Sequence, residues 1–294
     1  MSFSWTKAAL FAATAVAASI PAGGRLAGRE GKPPAFFLAG DSTTAVNGGW
    51  GDGLLAPLIE PAWGLNIGLS GATTASFVAR GNWANVTSHL KEYAEEYDVY
   101  VTISFGHNDQ KPENNVPFDT YQQNLINFAN EVKSLGGTPV SPLDGARDLP
   151  SYILAGPLTN KPPRTRPGGG AWRKKHQLLV SSLTRRVFPS DPHNATDSLH
   201  NERLAAIAAA AATGSAVVDL NAASLAYVNA IGRDAAWAYN WGDDRKDTTH
   251  LNPWGEVVFG RMVADLVIRA EPGLEAWFTP NATLSEAIWN NLPA

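Results

Sequence analysis

The sequence predicts an α/β fold, in which helices cover both faces of a central parallel sheet to form a three-layer α/β/α sandwich. Two observations predict it. Short runs of apolar residues, such as 35–39 and 98–105, alternate along the chain with segments of helical spacing. These runs are continuously apolar, as expected of strands that are buried on both faces of a parallel sheet.

The individual elements follow from the same patterns. Strands are predicted at residues 35–39, 65–67, 98–105, 178–183 and 215–220. Helices are predicted where apolar residues recur every three or four positions, at 118–134, at 199–213 and from Asn252 or Pro253 onward. Glycines follow the first two helices and proline opens the third, as is common at helix ends and starts. The sequence contains no internal repeat.

Composition favours one domain over residues 33–294. Hydrophobic residues make up 44% and charged residues 17% of the 294 residues, which allows a packed core. The net charge of −4 gives no reason to expect a nucleic-acid partner. No apolar span of about 20 residues follows the N-terminal region, so the mature chain is not expected to cross a membrane. Cysteine is absent, which excludes thiol nucleophiles. We expect a monomer.

The N-terminal region predicts export. Residues 1–22 are typical of a signal peptide, with Lys7 before a short apolar run at 8–20 and small residues around a cleavage site. A buried N-terminal helix is the alternative. Three sequons jointly favour a secreted, extracellular glycoprotein. Their acceptors are Asn85, Asn194 and Asn281.

Residues 141–177 do not fit the predicted fold. The segment contains six of the 20 prolines, a run of three glycines, seven basic residues and only two acidic ones. Joining Val140 to Leu178 would restore a buried strand. We interpret the segment as translated intron sequence or as a disordered surface insertion, on its composition. The alternative is a basic loop that binds an acidic polysaccharide.

Three short motifs supply the groups of a serine esterase. Residues 40–43 (Gly-Asp-Ser-Thr) and 106–109 (Gly-His-Asn-Asp) each follow a predicted strand, so Ser42 and Asn108 are expected on the same edge of the sheet. Residues 247–250 (Asp-Thr-Thr-His) precede the last helix. A hydroxyl, an amide, a carboxylate and an imidazole are the nucleophile, oxyanion donor, orienting group and base of such an enzyme.

Each of these residues also has a structural interpretation. Ser42 is a common kind of helix N-cap and Asn108 a common turn residue, and a solvated polar turn is the alternative for 247–250. The combination favours catalysis, because a serine after a buried strand is followed far downstream by Asp-x-x-His. At that spacing Asp247 can reach one ring nitrogen of His250 while the other faces the serine.

The chain resembles the SGNH, or GDSL-type, hydrolases, and most closely the fungal rhamnogalacturonan acetylesterases. The resemblance is carried by residues 38–43, 66–71, 105–109 and 247–250. It implies a flavodoxin-like fold and a triad of Ser42, Asp247 and His250. It also implies an oxyanion hole formed by the backbone N–H groups of Ser42 and Gly71 and the side chain of Asn108; an ordinary tight turn is the alternative for Gly71.

The resemblance implies a secreted serine esterase that removes O-acetyl groups from plant cell-wall polysaccharide, through an acetyl-serine intermediate. Its partner would be acetylated rhamnogalacturonan, and no cofactor or metal is expected, since the histidines show no zinc-type spacing. Arg80 could meet a galacturonate carboxylate or be a surface arginine. The alternatives are an acetyl xylan esterase, a lipase or lysophospholipase, and a non-catalytic carbohydrate-binding protein that uses some of the ten tryptophans.

Overall fold

Five parallel strands form the central sheet of the computed structural model, which describes residues 31–135 and 176–294. The strands are β1 (Pro34–Gly40), β2 (Trp63–Asn66), β3 (Asp98–Ser104), β4 (His176–Val180) and β5 (Ala216–Val218). Their order across the sheet is β2-β1-β3-β4-β5, which is the flavodoxin-like order of a doubly wound sheet. The five predicted strands and the parallel sheet are therefore confirmed.

Nine helices are present in the described parts of the chain. They are α1 (Gly51–Leu55), α2 (Thr74–Ala79), α3 (Asn82–Tyr93), α4 (Phe118–Ser134), α5 (His200–Thr213), α6 (Leu220–Ile231), α7 (Arg233–Trp237), α8 (Pro253–Ala270) and α9 (Ala282–Trp289). The three predicted helices correspond to α4, α5 and α8. Two 3-10 helices, Pro112–Asn114 and Pro272–Trp277, and an antiparallel hairpin of β6 (Asn240–Trp241) and β7 (Asp247–Leu251) complete the described elements.

The sheet separates two apolar cores, which makes the predicted three layers. Along β1, Phe36 and Leu38 pack with α1, α6, α8 and α9 on one face. Ala35, Phe37 and Ala39 pack with α2, α3, α4 and α5 on the other face. Because successive side chains of a strand point to opposite faces, the continuously apolar β1 contributes to both cores and is completely buried.

The strand register places three loops at one edge of the sheet. Leu38 of β1 is paired with Asn66 of β2, and Gly40 with Ser104 of β3. The three strands thus end side by side, and the loops that follow them carry Ser42, Gly71 and Asn108 at a common edge. This is the edge at which ligands bind in open α/β sheets.

Helices α1 and α8 approach each other unusually closely, and this contact brings the C-terminal part of the chain to β1. A Cβ atom added to Gly260 of α8 would lie 2.3 Å from the carbonyl carbon of Gly53 in α1. Only glycine allows the two backbones to pack at this distance. Since β7 directly precedes α8, the contact also holds His250 near the loop that carries Ser42.

Two predicted segments fall largely outside the described residues. The predicted signal peptide at 1–22 lies outside them, as do residues 141–175 of the segment interpreted as an insertion. The last two residues of that segment, His176 and Gln177, begin β4 and pair with Tyr100 and Val101 of β3. None of the helices in the described parts of the chain has the length and apolarity needed to span a bilayer.

Candidate active site

Ser42 lies in a tight turn directly after β1. Asp41 N–H donates to the Ser104 carbonyl of β3, and the Asp41 carbonyl accepts from the N–H groups of Thr44 and Ala45. The buried Asp41 carboxylate accepts from both the N–H and the hydroxyl of Thr43, at 2.9 and 2.8 Å. Burial, opposed by these bonds, raises the pKa of Asp41 to about 6. The turn leaves Ser42 9% exposed.

Asp247 and His250 lie on a strand, where the sequence indicated only a polar segment before a helix. The Asp247 Oδ1 atom accepts from the backbone N–H groups of Thr249 and His250, at 2.9 and 3.0 Å. This local turn brings the carboxylate back to the imidazole, and Asp247 Oδ2 lies 2.7 Å from His250 Nδ1. His250 Nε2 lies 2.8 Å from Ser42 Oγ, across 208 positions of sequence.

These distances determine where the protons of the three side chains lie. An ionised carboxylate only accepts hydrogen bonds, so Nδ1 of His250 carries the proton that is donated to Asp247. In the neutral ring Nε2 is then unprotonated and accepts from the Ser42 hydroxyl. Burial disfavours the ionised carboxylate, but the bonds from His250 and Thr249 outweigh it and lower the pKa of Asp247. The arrangement can remove the serine proton.

The Asn108 side chain is held by partners on both sides of its amide. Its Nδ2 atom donates to the carbonyl of Ala72, at 3.0 Å, and its Oδ1 atom accepts from Lys111 Nζ, at 2.8 Å. If the amide were flipped, Oδ1 would face the carbonyl oxygen of Ala72 and Nδ2 would face the ammonium group of Lys111. Both contacts would be unfavourable, so the orientation of the amide is fixed. The second N–H of the buried Asn108 amide has no acceptor among the described residues, and the first one joins Asn108 to Ala72, the neighbour of Gly71.

Two backbone N–H groups at the same edge are also available. Within residues 31–135 and 176–294, no acceptor bonds the N–H of Ser42 or of Gly71. Ala72 N–H donates to Leu69, so Gly71 occupies a tight turn. Its φ of 76° favours glycine, and no atom lies within 4 Å of where a Cβ would be. The three predicted oxyanion donors thus lie in neighbouring loops with free N–H groups.

The two residues that flank Asn108 are structural supports. His107 is buried, and its Nε2 donates to the carbonyl of Leu183, at 2.8 Å. Burial and the charge of Arg185 lower the pKa of His107 to about 3, so the ring stays neutral. Asp109 accepts from the N–H and hydroxyl of Thr74, at 2.8 and 2.6 Å, and ties this loop to α2. These contacts make both residues structural supports of the loop that carries Asn108.

Arg186 was not identified in the sequence, although it contacts the strand that carries the imidazole. Its side chain is completely buried and donates to the carbonyl of His250, at 2.6 Å, and to Asn240 Oδ1, at 2.5 Å. Its backbone N–H donates to the carbonyl of Thr248. Burial lowers the pKa of Arg186 to about 9. No motif surrounds this arginine, so only the contacts with β7 reveal it.

Arg80 does not meet the other predicted residues. It is exposed and follows the last residue of α2, whereas Thr74, which contacts Asp109, lies at the start of that helix. Six residues of helix correspond to about 9 Å. A contact between Arg80 and a substrate stays a prediction.

The three sequon asparagines are exposed. Asn85 lies within α3, Asn194 in a loop, and Asn281 caps α9 by accepting from Leu284 N–H. Across the residues that the structure describes, no group of three or more His, Asp or Glu side chains is arranged to hold a metal ion.

Two relatives with known names share part of this sequence. The rhamnogalacturonan acetylesterase RhgT of Bacillus subtilis (strain 168) is 37% identical over 116 residues, which cover 37% of this chain and 48% of that protein. The isoamyl acetate-hydrolyzing esterase 1 homolog of Mus musculus is 34% identical over 163 residues, 52% of this chain and 56% of that protein. The chain therefore spans about half the length of these relatives.

Solved structures share the fold at low identity. The protein YXIM of Bacillus subtilis has a TM-score of 0.58 and 16% identity, over 83% of this chain and 58% of that chain. A catalytic mutant of Axe2, an acetylxylan esterase from Geobacillus stearothermophilus, has a TM-score of 0.50 and 17% identity, over 82% and 95% of the two chains. Both likenesses concern the fold alone.

The family is shown by a match over most of the chain. The sequence profile described as "GDSL-like Lipase/Acylhydrolase family" matches residues 38–257, which begin in β1 and end in α8. The match includes Ser42, Gly71, Asn108, Asp247 and His250. The resemblance inferred from the motifs is thereby confirmed, although a fungal origin is not shown. The chain belongs to the GDSL-like lipase/acylhydrolase family.

Proposed function

We propose that this chain is a secreted serine esterase that removes O-acetyl groups from plant cell-wall polysaccharide, with acetylated rhamnogalacturonan as its substrate. One observation carries the proposal: His250 lies between Ser42 Oγ and Asp247 Oδ2, at 2.8 and 2.7 Å. Nucleophile, base and orienting carboxylate are thus already in hydrogen-bond contact. A purely structural role for Ser42 does not require this chain of bonds.

The first half of the reaction forms an acetyl-enzyme. His250 Nε2 takes the proton of Ser42 while Oγ attacks the acetyl carbonyl carbon. The negative charge that develops on the carbonyl oxygen is met by the free N–H groups of Ser42, Gly71 and Asn108. Asp247 stabilises the imidazolium through Nδ1. The C–O bond to the sugar then breaks, and His250 gives its proton to the departing sugar oxygen.

The second half returns the enzyme to its starting state. Water replaces the deacetylated sugar beside His250, which takes one water proton as the oxygen attacks the acetyl carbonyl. The same three N–H donors stabilise the second oxyanion. When the bond to Oγ breaks, His250 returns the proton to Ser42, and acetic acid leaves with the other water proton and ionises to acetate in solution.

The relatives support acetyl esters as the substrate class. One relative is named a rhamnogalacturonan acetylesterase, another a probable one, and two are named as homologues of an isoamyl acetate-hydrolyzing esterase. Acetate is common to these names, whereas the alcohol part of the ester differs. Acetylated xylan is the second candidate polymer, because the triad acts on the acetyl ester and not on the sugar that carries it.

The proposal is tested by acetate release from acetylated rhamnogalacturonan and acetylated xylan, together with hydrolysis of p-nitrophenyl acetate and octanoate. We expect the acetyl ester to react far faster than the octanoyl ester, and rhamnogalacturonan faster than xylan. Ser42→Ala should abolish all of these activities, whereas Ser134→Ala, at the end of α4, should not. A folded Ser42→Ala protein with most of its activity would refute the mechanism, and preference for xylan would change only the substrate.

Export is tested separately. Expression of the full chain in a eukaryotic secretory host should yield protein in the medium whose N-terminus lies near residue 23, with glycans at one or more of Asn85, Asn194 and Asn281. Retention of the intact chain inside the cells would refute export without touching the chemistry.

A further inference from the structure

A cavity of about 550 Å³ opens beside the candidate active site, and the mechanism above does not use it. Asp109, Gln110 and Lys111, the residues that follow Asn108, form one wall. Lys111 also donates to Asn108 Oδ1, at 2.8 Å. The cavity therefore adjoins the oxyanion donor, and its volume lies within the range of small-molecule sites.

The wall contributed by α5 contains a buried carboxylate. Glu202 is only 7% exposed and packs against Gly106, where an added Cβ would lie 3.1 Å from Glu202 Cβ. No side chain in the described residues donates a hydrogen bond to this carboxylate. Burial raises the pKa of Glu202, and it outweighs the bond from the backbone N–H of Glu202 and the positive charge of Arg185, which both lower it. A buried acceptor that lines a cavity without a side-chain donor is suited to hydroxyl groups of a ligand.

Elsewhere the lining of the cavity combines an aromatic ring with free amides. Phe118, the first residue of α4, is 45% exposed, and its ring lies 6.4 Å from that of the buried Tyr121. The side chains of Asn115 and Asn201 also line the cavity and have no partner among the described residues. An exposed ring beside amides and a carboxylate matches a pyranose, which has an apolar C–H face and a rim of hydroxyl groups.

The charges around the cavity select between kinds of sugar. Asp109 and Glu202 both line it, whereas its one ammonium group among the described residues, that of Lys111, already bonds Asn108. A uronate carboxylate in the cavity would be repelled by Glu202 and, at longer range, by the buried carboxylate of Asp109, which is bonded to Thr74. A neutral sugar would instead donate its hydroxyl groups to Glu202 and accept from the amides.

We propose that this cavity is a subsite that binds a neutral sugar residue, next to the residue whose acetyl ester is cleaved. The proposal rests on the proposed polysaccharide esterase function. In this proposal Phe118 stacks on the sugar ring, and Glu202 and Asn201 form hydrogen bonds with its hydroxyl groups. The cavity thereby helps to position the polymer.

The proposal is tested first by binding. Ring-proton saturation-transfer NMR of the wild-type protein is recorded with methyl α-rhamnopyranoside, methyl β-xylopyranoside and sodium galacturonate as probes. We expect at least one neutral glycoside to bind more tightly than galacturonate, and both Phe118→Ala and Glu202→Gln to weaken that binding. Tighter binding of galacturonate, or neutral binding that neither variant changes, would overturn the proposal.

Kinetics provide the second test. For Phe118→Ala, the ratio of kcat/KM on acetylated polymer to kcat/KM on p-nitrophenyl acetate should fall about 3- to 10-fold, as expected for loss of a stacking contact. Leu204→Ala, an exposed apolar residue of α5 outside the cavity, is the matched control and should keep the wild-type ratio. A wild-type ratio in Phe118→Ala, Asn201→Ala and Glu202→Gln would overturn the subsite. Absence of any acetylesterase activity would refute the proposed function instead, while the NMR titration would still report on the cavity.

Discussion

The ammonium group of Lys111 lies 2.8 Å from Oδ1 of Asn108, while Nδ2 of the same amide donates to the carbonyl of Ala72. The positive charge draws electron density toward the amide oxygen and makes the remaining N–H a stronger donor. The two contacts together prevent the amide from flipping. Lys111 is therefore a positioning residue for the oxyanion site, although it need not touch the substrate ester.

Replacement of Lys111 by methionine tests this relationship. We expect kcat on p-nitrophenyl acetate to fall about 3- to 10-fold, the equivalent of one charge-assisted bond at an exposed position. The KM should change little, because the oxyanion exists only in the transition state and intermediates. Lys111→Arg should restore part of the rate, and Lys91→Met on the exposed face of α3 is the control. A wild-type kcat in Lys111→Met would contradict the role.

Asn108→Ala removes the side-chain donor itself. Loss of one oxyanion donor lowers turnover by about 10²–10³-fold, so the fall should greatly exceed that of Lys111→Met. Circular dichroism should show an unchanged fold, because the backbone contacts of residue 108 are kept. In the double variant the Lys111 effect should disappear, since the lysine acts through Asn108. Near wild-type turnover in Asn108→Ala would leave this residue as a turn residue only.

His107 is expected to make the folded protein sensitive to acid. Its pKa is lowered from 6.5 to about 3 in the folded protein. Between about pH 3 and pH 6.5 the imidazole is therefore protonated in the unfolded chain but neutral in the folded chain. This contribution to stability is complete above about pH 6.5 and is lost as the pH falls toward 3. His107→Gln, which keeps a donor for Leu183, should lose less stability than wild type between pH 7.5 and 5.

Urea unfolding at several pH values measures this difference. His200→Gln, at an exposed position on α5, is measured in parallel as the same replacement at the surface. Equal slopes of unfolding free energy against pH in wild type and His107→Gln would show that His107 does not titrate in this way.

Gly260→Ala tests the close contact between α1 and α8. The added methyl group would meet the Gly53 backbone at 2.3 Å, so the two helices must move apart. We expect a loss of about 1–3 kcal/mol or more in the free energy of unfolding, as for other overpacked cores. Gly273→Ala, where no atom lies within 4 Å of the added Cβ, should change stability by less than about 0.5 kcal/mol. Similar values for both variants would contradict the contact.

Local patterns in the sequence were sufficient to predict several elements and the edge at which the site lies. Helix α4 spans Phe118–Ser134 as predicted, because the spacing of its buried residues Tyr121, Leu125, Phe128 and Val132 is helical. The five strands of the sheet were predicted from short runs rich in apolar residues, of which 35–39 is apolar throughout. The positions of Ser42 and Asn108 at one edge followed from parallel strands with a polar motif after each.

Contacts between distant parts of the chain could not be predicted from local patterns. Residues 247–251 form a strand because β6 pairs with them, although their composition reads as a polar turn. No local motif marks Arg186 or Lys111, which contact His250 and Asn108 in the folded chain. The cavity beside Asn108 is likewise formed by residues that are distant in sequence. The bond between His250 and Ser42 crosses 208 positions, and hydrophobic periodicity, which spans a few residues, carries no information on such pairs.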